Sequence, residues 1–181
     1  MDTFKSILFF FCICFSLNAF ADDQVGSNKN DIPLGRYHID IVLPQDMHWT
    51  LFKNVQDTAG YNKIYLPRKA DNMSDQNISV SYGVNISTPI DDTMQEVVSV
   101  LDKTDCEIAD SKVIKKEHNS IVFEVLLDRC ANNKSAVQIF KVFDVDEGQY
   151  SVFYSADLEK VDESTLQKMK MAIQNSRLTL D

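Results

Sequence analysis

The chain has 181 residues, 44% of them hydrophobic, and its 18 basic against 27 acidic side chains leave a formal net charge of -9. That balance argues against nucleic acid or an anionic membrane as the main partner. Five glycines leave little room for a phosphate-cradling loop.

Taken from its start, the chain opens with Lys5 before an apolar run from Ile7 to Leu17, and Ala19-Phe20-Ala21 supplies the small residues of a cleavage site. Residues 1–21 therefore read as a secretory signal peptide, too short to span a bilayer. Cys12 and Cys14 lie among bulky neighbours, which weighs against a lipid-anchored start. No later segment offers the roughly 18 consecutive apolar residues of a transmembrane helix. Residues 22–31, polar and rich in Asn and Asp, read as a flexible leader. Residues 32–181 then suit a single α+β domain.

Within that domain, Tyr37, Ile39, Ile41 and Leu43 alternate with polar residues and predict a first strand stopped by Pro44. Tyr61 to Leu66 predicts a second strand, and Arg68 to Gln76 a loop. Ile78, Val80, Tyr82, Val84 and Ile86 alternate against Asn77, Ser79, Ser81, Gly83 and Asn85, a strand expected to keep one face in water. Thr88-Pro89-Ile90-Asp91 reads as a capped helix start, followed by a stripe of Ile90, Met94, Val97 and Leu101. Lys112 to Glu117 leads into three alternating runs built on Ile121 to Leu127, Val137 to Phe143 and Tyr150 to Tyr154. With short polar breaks between them, these predict an antiparallel meander, its last turn opened by Gly148. Val122, Leu126, Phe140 and Val142 add apolar side chains to the reverse faces, so cover is needed on both sides. A second helix is expected from Ser164, with a stripe of Leu166, Met169 and Ile173.

The residues that carry chemistry are few. Cys106 and Cys130 are the only cysteines beyond the signal peptide, and in an oxidising compartment two cysteines pair. The rival is a reactive Cys130 thiol favoured by Arg129. His38, His48 and His118 are dispersed, so no metal site is expected. Asp144, Asp146 and Glu147 lack the spacing of a calcium loop and read as an acidic hairpin turn. No catalytic residue and no cofactor motif emerges. Asn72, Asn77, Asn85 and Asn133 begin Asn-x-Ser sequons, which matter only in a eukaryotic secretory route. Trp49 beside His48, together with Tyr61, forms the ligand-binding candidate set, weighed against plain core or edge packing.

The strand Asn77 to Ile86 followed by Thr88-Pro89, the run Ile121 to Leu127, the hairpin Ser135 to Ala156 and the ending Ala172 to Leu178 give an order of elements that resembles the Mog1/PsbP-like family of α/β/α sandwiches. That resemblance implies a central antiparallel sheet covered by helices, in a binding, assembly or adaptor protein. The signal peptide, Asn/Lys-rich loops and cysteine pair also resemble small exported proteins of Legionella-like Gram-negative bacteria. Three functions follow in order: a binding or assembly module of the bacterial envelope with a protein partner, a secreted effector-like protein, and a hydrolase with scattered site residues.

Overall fold

A computed structural model describes residues 36–68, 75–84, 86, 88–130 and 134–180. The expected signal peptide with Ala19 and Ala21, the expected leader Asp22 to Asp31, most of the expected Arg68 to Gln76 loop, and Asn72, Asn85 and Asn133 lie outside the described residues.

Chain order is β1 (Tyr37–Asp40), β2 (Trp49–Asp57), β3 (Gly60–Pro67), β4 (Gln76–Val84), α1 (Thr93–Leu101), β5 (Glu107–Glu117), β6 (Ser120–Cys130), β7 (Lys134–Val145), β8 (Gly148–Asp157), α2 (Glu163–Asn175) and β9 (Arg177–Leu180). Seven strands form one antiparallel sheet in the order β2-β3-β4-β8-β7-β6-β5, and β1 pairs with β9 in a small second sheet. The expected meander is β6-β7-β8. β5 extends it through a hairpin at one end, and the β2-β3-β4 unit joins at the other by pairing β4 with β8, giving the α+β class that the sequence predicts.

Each face of the sheet is built from one half of the strand alternation. On the first face, Ile121, Phe123, Val125 and Leu127 meet Phe140, Val142 and Phe153, and α1 closes over them with Val97 and Leu101. The rings of Phe123 and Phe140 stack at 4.7 Å, and those of Phe140 and Phe153 at 5.3 Å. On the second face, Val137, Ile139, Val152, Tyr154 and Ile78 lie under Met169 and Ile173 of α2. Met169 and Ile173 are fully buried, each worth about 2 kcal/mol in apolar transfer. The β1–β9 pair adds Tyr37, Ile39 and Leu178 over Tyr82, Tyr150 and Phe143 at one end of that face. The short hairpins need glycine. Gly60 and Gly148 have φ of +143° and +151°, and a Cβ there would sit 1.9 Å from the Tyr82 carbonyl oxygen and 2.1 Å from that of Gly83.

Several local expectations are corrected. The first helix begins at Thr93 rather than next to Thr88, because Pro89 to Asp92 forms a separate turn closed by Asp92 N donating to Pro89 O (2.9 Å). The Thr88 hydroxyl donates to the Glu96 carboxylate, and Asp91 pairs with Lys116 (2.6 Å) instead of capping. The second helix starts one residue early, capped by Asp162, whose carboxylate accepts from Thr165 N at 2.8 Å. β2 and β9 are strands where none was expected. The polar face of β4 is not wet: Asn77 and Ser79 are buried, since that face continues the row under α1, with Ser79 directly beside Phe153.

Candidate functional site

β2 occupies one edge of the large sheet, and among the described residues no strand pairs with its outer side. Trp49, Leu51 and Val55 would share a face in a regular strand. They do not here, because the register slips between Leu51 and Lys53 and leaves Phe52 as the extra residue of a bulge. Leu51 lies opposite Tyr65, whereas Val55 lies opposite Asn62 on the other face. The result is an adjacent pair of large apolar side chains on an open edge, Leu51 54% and Phe52 57% exposed. The strand's start is fixed by Arg68 N donating to His48 O (2.7 Å) and by Thr50 Oγ1 donating to Leu66 O (3.3 Å).

Of the three sequence candidates, two stand on this path. His48 is exposed just before β2. Trp49 begins β2, turns inward to meet Tyr154 edge-on at 6.4 Å, and keeps a buried indole N–H without an acceptor among the described residues. Tyr61 stands apart. It is buried against Tyr82 (6.1 Å) and lines a groove of about 290 Å³ with Ile39, Ile41, Tyr65 and Val80. Leu51 and Phe52 escaped the sequence reading because the bulge breaks the alternation that would have marked a strand.

A second feature lies under α1. Where β6, β7 and the middle of β8 present Phe123, Phe140 and Phe153, β4 and the start of β8 present Ser79, Ser81, Gly83 and Ser151, and the missing volume leaves a cavity of about 80 Å³. Its floor is hydrogen-bonded within itself, Ser79 to Asn62 Oδ1 and Ser81 to Ser151 at 2.6 Å. Gln149 Nε2 donates to Thr88 O at 2.8 Å and ties this floor to the approach to α1.

The buried charges serve the scaffold. Glu124 accepts from Lys112 of β5 and Lys170 of α2, both at 2.8 Å. Burial pushes its carboxyl up, but the two lysines outweigh that and hold it below the usual carboxylate range. Lys141 donates to Gln174 O (2.8 Å) and Ser176 O (2.7 Å), satisfying carbonyls at the end of α2. Burial lowers its affinity for the proton. In the acidic hairpin turn, Glu147 accepts from the Tyr150 hydroxyl (2.8 Å) and from Arg36 N (2.9 Å). Burial, then the bond to Glu147, raises the Tyr150 hydroxyl well above its ordinary value. Among the described residues no group of three or more His, Cys, Asp or Glu is placed to hold a metal ion, and no helix is long and apolar enough to cross a membrane. Cys106 and Cys130 are joined, with Cα atoms 4.1 Å apart, and fasten the approach to β5 to the end of β6.

No protein-family model matches the chain, and no curated protein does. Among solved structures it is similar to LpqN, involved in cell envelope biogenesis of Mycobacterium tuberculosis, with 14% identity and a TM-score of 0.52 over 80% of this chain and 85% of that one. At that identity the likeness is one of fold.

Proposed function

We propose that the chain is a non-catalytic binding or assembly module of the bacterial envelope that takes a protein partner along β2. The observation that carries this reading is the open β2 edge with Leu51 and Phe52 side by side in water. An extended segment adding to such an edge gains main-chain hydrogen bonds, and exposed apolar side chains provide anchors. His48 and Trp49 extend the same path, with Trp49 holding its inner end. An envelope location is supported by the fold shared with LpqN, by the Cys106–Cys130 bridge, and by the export signal, with cleavage after Ala21. The Mog1/PsbP-like order of elements and the likeness to exported proteins of Legionella-like bacteria support a binding role of the same kind. Intact-mass measurement of the exported protein should give a chain beginning at Asp22.

The test is a photo-crosslinking residue placed at Leu51 or, on the opposite edge, at Val113, with the protein in its native envelope. A discrete adduct with another protein from position 51 and none from 113 supports the reading. Equal labelling at both positions, or none at 51, overturns it; a homodimer adduct at 51 would replace the foreign partner with a second copy.

A further inference from the structure

Independently of the β2 edge, we propose that the cavity under α1 is a binding site for a small organic cation with an apolar body, of the alkylammonium class. The cavity exists because four small residues stand where packing would otherwise continue. Ser79, Ser81, Gly83 and Ser151 occupy cross-strand positions beside Phe140 and Phe153, under an amphipathic helix that could close on larger side chains. Polar side chains buried at such a place cost stability unless hydrogen-bonded. They are bonded here to one another, and each serine oxygen, with its two lone pairs, keeps acceptor capacity toward the cavity.

Charge selects the ligand. Among the described residues no lysine, arginine or histidine lines the cavity, and its one acid is Glu96. One Glu96 oxygen accepts from the Thr88 hydroxyl, and among the described residues no ion pair reaches this carboxylate. It stands on the first turn of α1, beside Val97 of the cavity wall. An ammonium group bound here meets a carboxylate and hydroxyl acceptors, while its carbon chain lies on Val97, Val142 and the rings of Phe140 and Phe153. An anion meets the Glu96 charge without a compensating cation, on a chain of net charge -9. A neutral alcohol of the same shape retains the apolar contacts and loses the ionic one.

The experiment is an amide-resolved NMR titration of the purified protein with n-butylammonium, 1-butanol and butyrate in parallel at neutral pH and low salt. Saturable shifts should centre on Ser79, Ser81, Gln149 and Ser151, with the ammonium binding about tenfold more tightly than the alcohol and butyrate not binding. Glu96→Gln should remove the tenfold preference while leaving the alcohol unchanged, and Ser81→Val should fill the cavity and abolish the shifts from both the ammonium and the alcohol. Equal affinity for ammonium and alcohol in the wild type, a preference for butyrate, or no shifts at the four cavity residues would overturn the proposal, whether or not the variants fold.

Discussion

The two edges of the large sheet face the same hazard, a row of unpaired main-chain groups, and are built in opposite ways. β5 is guarded. Its register slips twice, between Ile108 and Asp110 and between Val113 and Lys115, and Lys112, Lys115 and Lys116 stand along it in ion pairs with Glu124, Glu117 and Asp91. Arg129 pairs with Glu107 (3.0 Å) near its start, next to the Cys106–Cys130 bridge. Bulges and lysines are means by which natural sheets refuse a further strand. β2 has one bulge, and that bulge carries Phe52 outward beside Leu51 instead of carrying a charge. The difference teaches that the chain protects one edge and leaves the other open, which is the contrast on which the proposed binding role of β2 rests.

The largest expected effect comes from unfastening the guarded edge. The bridge spans 24 positions, and the chain-entropy relation gives about 3 kcal/mol for a loop of that size. Cys106→Ser with Cys130→Ser should lower the denaturation midpoint accordingly, with β5 amides the first to exchange. Two free thiols in the unfolded, unreduced wild type would show that no bridge forms.

Next in size is Glu124, which links β5 to α2. Its removal in Glu124→Ala leaves Lys112 and Lys170 without their acceptor and should cost about 2 kcal/mol in denaturant unfolding. Its folded carboxyl titrates below its ordinary value of 4.5, so its contribution is fully present above that pH and is lost as pH falls through the folded value. The stability of the wild type to denaturant should therefore fall below about pH 4.5, and Glu124→Gln should flatten that part of the profile.

Removing the guards themselves should invert the comparison. With Lys115→Val and Lys116→Val beside Val113, already 46% exposed, sedimentation should show association that rises with concentration. A variant that stays monomeric would mean that the bulges alone protect β5.

The smallest effect on stability and the sharpest on binding belongs to β2. Leu51→Lys with Phe52→Lys alters exposed side chains and should shift stability by about 0.5 kcal/mol or less. If these side chains anchor the partner, capture by a crosslinker placed at Val55 should disappear in the double variant; undiminished capture would place the partner elsewhere.

Much of this was legible in the residues. The successive apolar runs Ile121 to Leu127 and Val137 to Phe143, and helical spacing in Met94 to Leu101 and Leu166 to Ile173, marked out the meander and the two covering helices, because side-chain period follows directly from backbone geometry. What the sequence could not determine is what each face meets. The Ser79, Ser81 and Gly83 side of β4 alternates like any solvated face, and only the route of α1 from β4 to β5 turns it into the floor of a cavity. The β2 edge is a similar case. A one-residue bulge at Phe52 shifts the alternation out of phase, and only the strand order leaves β2 outermost, since pairing between distant strands is decided by the packing of the whole sheet and not by any window of residues.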